Sequence, residues 1–143
     1  YKLINEKEIL IKQAIQQLSN FSENAALAIV EKEVYYAGLS TIVNIPEFRE
    51  HDNLKRILSL LENYSVLSEI MNKGNPENDL NILIGEETEK SEFADCAVIF
   101  SEIRLGGDQK GYIAIVGPNR MRYNEIIPIV KYISDTVRNI LKG

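Results

Sequence analysis

The sequence predicts an α+β domain, with an antiparallel sheet of about five strands and helices packed on one or both of its faces. Three observations carry this. Apolar residues recur at spacings of three and four near both ends of the chain and once in its middle. Short runs rich in β-branched residues lie between those helical stretches. Tight turns join consecutive runs, which makes their pairing antiparallel. At 143 residues the chain is the length of one domain, too short for two independent cores.

Residues 6–20 place Ile9, Ile11, Ala14, Ile15 and Leu18 on one helical stripe, with Lys7, Lys12, Gln13 and Gln16 largely opposite. AALAIV (25–30) suits a buried strand, EKE (31–33) a polar turn, and VYYAG (34–38) its hairpin partner, closed by Gly38. LSTIV (39–43) reads as a short helical turn before the loop with Pro46. A second helix is expected over 52–72, with Asp52 as its cap and Leu54, Ile57, Leu58, Leu61, Val66, Leu67 and Ile70 as its stripe. Gly74 and Pro76 end it. Strands follow at 81–85, 96–103 and 111–117, the last two joined by the turn LGGDQK (105–110). The closing helix, about 122–142, carries Ile126, Ile127, Val130, Ile133, Val137 and Ile140 on one stripe. Asn124 is its expected cap, which places Pro128 in the first turns; a start nearer Arg120 would make Pro128 a kink.

Composition excludes several classes of function. Sixteen basic against 21 acidic residues give a net charge of −5, a poor balance for binding nucleic acid unaided. One cysteine, Cys96, rules out an internal disulfide and a multi-cysteine zinc site. One histidine, His51, rules out paired-histidine metal sites. No apolar run approaches the ~20 residues that cross a bilayer, and no signal peptide is visible, so a cytoplasmic location is expected. No residues point to a cofactor or a metal. Because the first residue is Tyr1, the sequence is expected to be a fragment or a processed chain. Acids concentrate in 76–95 and bases in 119–143, expected as two solvated surfaces or as partners within the fold or across an interface.

Few residues invite chemistry. The segment Arg104–Gly111, with Gly106 and Gly107, leads into a strand and lacks the Gly-Lys-Ser/Thr of a phosphate loop; a turn needing positive φ accounts for its glycines. Glu86 and Glu87 follow Gly85 but point to opposite sides of an extended backbone, so structural or solvated roles fit better than an acid–base pair. Cys96 opens an apolar strand and reads as a small buried hydrophobe, far in sequence from His51. Tyr35 and Tyr36 face opposite sides of their strand. The most distinctive string is Gly117-Pro118-Asn119-Arg120-Met121-Arg122-Tyr123, a strand exit followed by a basic, aromatic helix start. Arg120 is expected to pair with an acid of this chain such as Glu86 or Glu87 and lock the loop; the functional alternative is an anion at the helix start.

That string, followed by IIPIVKYI (126–133), resembles the C-terminal signature of the heat-inducible transcription repressor family HrcA, which reads Gly-Pro-Thr-Arg-Met-Asp-Tyr. YYAGLSTIVNIPEF (35–48), ILIGEET (82–88) and DCAVIFSEIRLGGDQKGYIAIVG (95–117) resemble further stretches of the family, so the likeness covers roughly residues 20–143. The chain departs from it at Asn119 (for Thr), Arg122 (for Asp) and Ala97 (for Ser). Family-signature positions with structural or regulatory roles are Gly85, Glu86, Cys96, Gly106, Gly107, Gly117, Pro118, Arg120, Met121 and Tyr123.

The resemblance implies a GAF-like regulatory and dimerisation domain over residues 21–143, with residues 1–20 as the connector from a winged-helix DNA-reading domain that lies outside this chain. The short turn at 31–33 leaves no room for the long insertion of larger members. It further implies a homodimer, operator DNA met through that other domain, control of chaperone operons, and the chaperonin as a partner, with no enzymatic activity. An alternative is a small-molecule sensor whose pocket would be lined by Tyr35, Tyr36, Phe100 and Tyr112, with Arg120 near it. Methionine sulfoxide reduction, known on GAF-like folds, needs several cysteines and is excluded by the single Cys96.

Overall fold

A computed structural model describes residues 2–48, 51–106 and 108–142, leaving Gly107 and the side chains of His51 and Asp52 outside the described part. Five strands form one antiparallel sheet: β1 (Ala25–Val30), β2 (Glu33–Ala37), β3 (Asn81–Ile84), β4 (Cys96–Gly106) and β5 (Gln109–Pro118), in the spatial order β2-β1-β5-β4-β3. Helices α1 (Lys2–Ser22) and α5 (Tyr123–Lys142) cover one face. Helices α2 (Ser40–Val43), α3 (His51–Leu61) and α4 (Tyr64–Met71) cover the other, with a 3-10 turn at Pro46–Phe48 between α2 and α3 and two more, Gly85–Thr88 and Ser91–Phe93, between β3 and β4.

A sheet covered on both faces forces its middle strands to be apolar on both sides. Ile113, Ala114, Ile115 and Val116 of β5 are all essentially without solvent contact. Toward α1 and α5 the sheet presents Ala26, Ala28, Ala37, Ala97, Ile99 and Ile115, against Ile11, Ile15, Leu18, Val130, Ile133 and Val137. Toward α2–α4 it presents Leu27, Ile29, Val98, Phe100 and Val116, against Phe48, Ile57, Leu61, Leu67, Ile70 and Phe93. Each large side chain so buried stabilises the fold by about 1.5–3 kcal/mol relative to exposure.

The element order matches the sequence reading, with four differences. The helix expected over 52–72 is two helices, broken at Glu62 and Asn63. Asn63 adopts an extended backbone (φ −98°, ψ 105°), and its side chain accepts a hydrogen bond from the Val66 amide at 3.3 Å. At about 100° per residue, the Ile57/Leu61 stripe and the Leu67/Ile70/Met71 stripe would sit roughly 100° apart on one straight helix. The break lets both reach the sheet. Second, Ile9 and Ile140, placed on apolar stripes from sequence, are each 54% exposed. Third, α5 starts at Tyr123, with the Glu125 and Ile126 amides both donating to the Arg122 carbonyl at 3.0 Å. Pro128 therefore lies inside the helix, on its exposed side, as does Asn124, whose carbonyl the proline cannot engage. Fourth, α1 spans Lys2–Ser22, longer than the expected 6–20, with Ile11, Ala14, Ile15 and Leu18 in the core.

Replacing Asn63 by Ala removes the α4 cap and is expected to destabilise the chain by about 1 kcal/mol. Urea denaturation of the variant beside the parent chain measures this as a lower midpoint at an unchanged slope.

Candidate functional site

The signature segment sits where β5 ends and α5 begins, and its residues are held one by one. Gly117 lies against Asn24; a Cβ there would come within 2.4 Å of Asn24 Oδ1, so a larger residue would have to displace the Asn24 side chain. Pro118 is the register partner of Cys96. The Asn119 amide donates to the Asp95 carbonyl at 2.8 Å, and the Met121 amide to the Pro118 carbonyl at 3.0 Å. Met121 is buried, and the Tyr123 hydroxyl donates to the Asn119 carbonyl at 2.6 Å. Burial, with Glu87 nearby, raises the pKa of Tyr123 and keeps it a donor.

Arg120 has an acidic partner, but neither Glu86 nor Glu87. Its Nε donates to Glu47 Oε2 at 2.7 Å and its Nη2 to Glu47 Oε1 at 3.0 Å, the two-pronged geometry that guanidinium and carboxylate favour. Glu47 belongs to the 3-10 turn Pro46–Phe48, whose Phe48 is buried among the α2–α4 residues. The pair thus ties the α5 start to the opposite layer across the end of the sheet. Hydrogen bonding to Arg120 holds the Glu47 carboxyl below its ordinary range. Glu86 is exposed, and Glu87 Oε1 accepts from the Ile84 amide at 2.7 Å. Among the described residues Arg122 pairs with Glu125 alone, at 3.6 Å and exposed.

The structure holds the other described signature positions as follows. Gly85 has φ +56°, and a Cβ there would meet the Ala94 carbonyl oxygen at 2.8 Å. Gly106 has φ +119° at an irregularity where β4 turns into β5, beside Lys7, whose Nζ donates to the Leu105 carbonyl at 2.7 Å. Gly107 lies outside the described residues. Cys96 is fully buried, and burial together with Asp95 and Glu47 pushes its thiol up to about 12, so it carries no thiolate near neutral pH.

The four aromatic pocket residues do not converge. Tyr35 faces α1, its hydroxyl held against Glu8 and 2.8 Å from Glu33 Oε2, with Lys12 Nζ 5.1 Å from the ring centre. Burial and those two carboxylates raise its pKa. Tyr36, Phe100 and Tyr112 lie on the other face. The Tyr36 hydroxyl donates to the Leu61 carbonyl, at the far side of β1 from Phe100. Phe100 and Tyr112 pack edge to face at 6.2 Å and 72° and line a cavity of about 210 Å³. Arg120 belongs to neither group: it lies past the Cys96 end of β5, eight residues beyond Tyr112.

Among the described residues no acidic side chain of 76–95 forms an ion pair with a basic side chain of 119–143. The acidic loop pairs with the α4 side, through Lys90–Glu69 and Lys73–Glu89, both at 2.5 Å. On the basic α5, Arg138 turns inward: it donates to the Glu102 carbonyl at 3.1 Å, the Asp79 carbonyl at 3.0 Å and the Ser101 hydroxyl, with Asp135 Oδ1 at 2.8 Å. This joins α5 to the β3–β4 side of the sheet. Sequence reasoning missed both Arg138 and Glu47. Glu47 stands within the resembling stretch 35–48, but nothing local connects it with an arginine 73 residues away.

A larger, open groove of about 970 Å³ runs between the last turns of α1 and the first turns of α5, lined by Phe21, Asn24, Thr41, Arg120, Met121 and Ile129 among others. Phe21 at its mouth is 68% exposed, and Tyr132 further along α5 is 73% exposed. Among the described residues no group of three or more His, Cys, Asp or Glu is placed to hold a metal ion, and no helix is long and apolar enough to cross a membrane.

The family described as HrcA protein C terminal domain matches residues 1–127. The heat-inducible transcription repressor HrcA of Brevibacillus brevis is 33% identical over 118 residues, covering 82% of this chain and 34% of that protein. The chain spans about a third of the length of the curated relatives it matches. In three dimensions it is similar to a hypothetical protein solved at 2.2 Å (TM-score 0.78, 9% identity, 94% of this chain and 70% of that one). It is also similar to an IclR family transcriptional regulator from Brucella abortus (TM-score 0.54, 13% identity, 97% and 65%). These likenesses place the fold among GAF-like α+β domains.

Two outcomes are expected. Arg120→Ala lowers the thermal midpoint at pH 7, as does Glu47→Gln, and the double variant is no worse than either alone. A carboxyl held below its ordinary value of 4.5 contributes above that value and loses the contribution as pH falls through the lowered one, so parent and variants converge in acid. Calorimetry between pH 3 and 7 measures both effects. Separately, Cys96 is expected to resist a disulfide reagent such as Ellman's in the folded chain and to react promptly in denaturant.

Proposed function

The chain belongs to the HrcA C-terminal domain family, and from that membership we propose that it serves as the regulatory and dimerisation domain of a heat-inducible transcription repressor acting on chaperone operons. The role is non-enzymatic: it holds and positions other parts. The observation that supports assembly is the unpaired apolar surface of the α1 and α5 layer. Ile9 and Phe21 on α1, and Tyr132 and Ile140 on α5, are each more than half exposed although all lie in helices otherwise anchored in the core. At 100° per residue Ile129, Tyr132 and Ile140 fall on one side of α5. A second copy of the same layer, related by a two-fold axis, would cover that side by an isologous contact.

In this reading residues 1–20, the greater part of α1, link to the DNA-reading part of the repressor, and residues 21–143 form the regulatory body. Operator DNA is met outside this chain, in keeping with its net charge of −5. Two copies joined through α1 and α5 would hold two reading heads at one spacing, matched to an inverted repeat. Because α1 is both link and core element, loosening the core would loosen that spacing without touching a base contact. The chaperonin is the regulatory partner that the family resemblance implies, and the cytoplasm is where this partnership takes place.

Sedimentation equilibrium of the chain at tens of micromolar is expected to give a particle of twice the 16.2 kDa chain mass. Tyr132→Glu, which places a charge on the exposed side of α5 while leaving the core untouched, is expected to return the single-chain mass with the fold retained. A monomer for the parent chain at that concentration would remove the dimerisation role.

A further inference from the structure

The cavity of about 210 Å³ on the α4 side of the sheet has a wall chemistry that the assembly role leaves unused. Phe100, Tyr112 and Met71 supply its apolar walls, and the backbone at Gly74 closes one side. Gly74 approaches the ring so closely that a Cβ there would lie 2.7 Å from Phe100 and 2.9 Å from Asn81 Cγ, so glycine is what keeps the wall both tight and intact. The volume equals that of roughly seven waters, room for a small metabolite but not for a drug-sized one.

Two charges line the same cavity, Glu102 and Lys110. Glu102 faces Tyr112 across the β4–β5 ladder, and Lys110 faces Arg104 two pairs further on, which makes Glu102 and Lys110 diagonal neighbours on one face of the sheet. Such diagonal positions are roughly 7–8 Å apart at the backbone, within reach of long side chains. Yet they do not pair, and among the described residues Lys110 forms no ion pair at all. Glu102 is 15% exposed, and its Oε1 is buried without a hydrogen-bond donor; the Arg104 guanidinium, 73% exposed, lies 3.7 Å away. Oε1 itself is sealed from solvent, so a donor entering the cavity would meet the carboxylate at its other oxygen, within the 15% of the side chain that stays exposed.

We propose that this cavity binds a small zwitterion of the α-amino-acid class, its ammonium on Glu102, its carboxylate on Lys110 and its side chain against Phe100, Tyr112 and Met71. One ligand carrying both charges on neighbouring atoms satisfies both protein charges, which a simple amine or a simple acid does not. The aromatic walls favour an ammonium near their faces as well as an apolar side chain. The site lies on the α2–α4 side of the sheet, away from the exposed α1 and α5 surface, so it stands whether or not the chain dimerises.

Titrations followed by amide NMR test it, using L-serine, L-leucine and L-phenylalanine on the whole chain. L-Leucine is accompanied by its two halves, isoamylamine and 4-methylpentanoate. At least one amino acid is expected to give saturable shifts confined to residues 71–76, 81, 100–102 and 110–112. Each half of leucine is expected to bind at least tenfold more weakly than leucine if leucine is that amino acid. Glu102→Gln, nearly isosteric, is expected to weaken binding by roughly tenfold or more, the value of one hydrogen bond to a charged group. Lys110→Met, at an exposed side chain, gives a second variant should the first fail to fold, and is expected to weaken binding as well. No saturable shift from any of the three, shifts centred elsewhere, isoamylamine binding as well as leucine, or affinity unchanged in a folded variant would each overturn the proposal.

Discussion

The rest of this structure depends on the pairing of β4 with β5 at the middle of a sheet buried on both faces. Ten register pairs join them, from Cys96–Pro118 to Gly106–Gln109. Over Cys96–Ser101 and Ile113–Pro118 neither strand has a wet side, so alternation gives way to continuous apolar runs such as Ile113–Val116. Small residues on one side, Ala26, Ala28, Ala37 and Ala97, let α1 and α5 sit close to the backbone. Large ones on the other, Leu27 and Phe100 among them, meet the shorter helices α3 and α4. Both layers hang on the same strands, which is why a disturbance in either would be felt in the other.

Polar contacts then pin the layers at particular places. Arg120 and Glu47 join the start of α5 to the opposite layer at one end of the sheet. Arg138 joins the last turns of α5 to β3 and β4 through three oxygen acceptors of those strands and their approach. Lys7 ties α1 to the β4–β5 turn. Together they orient α1 and α5 on the sheet, and hence orient the exposed Ile9, Phe21, Tyr132 and Ile140 that the proposed assembly would use. The signature segment 117–123 is, in these terms, a joint: its glycine permits close approach, its arginine spans two layers, and its methionine fills the core on the α1 and α5 side of the sheet.

Much of the fold was legible because burial has a period. The stripes Ile11, Ala14, Ile15, Leu18 and Ile126, Val130, Ile133, Val137 were readable at helical spacing, and all eight are buried. The strand runs were readable from β-branched content, and Gly117 with Pro118 from the turn they make. The break at Asn63 was not, because Leu61 and Leu67 continue a plausible stripe, and the cap that divides them is one polar side chain with an extended backbone. Nor was the dispersal of Tyr35 from Tyr36, Phe100 and Tyr112 into a separate layer fully visible, since alternation shows that two neighbours face apart without showing which distant residues share each side.

The sequence by itself determined the α+β class, the strand order along the chain, most residues of the α1 and α5 apolar stripes and the family resemblance, since all of these rest on local spacing and on ordered strings. The tertiary structure alone decided which partner each charge takes. Arg120 meets Glu47 and not Glu86 or Glu87, Arg138 turns inward, and Glu102 and Lys110 line one cavity without forming an ion pair. The reason is physical: apolar burial needs only a face and leaves its period in the chain, whereas a hydrogen bond needs two particular atoms within about 3 Å, and that distance is set by the packing of layers whose residues lie far apart in sequence.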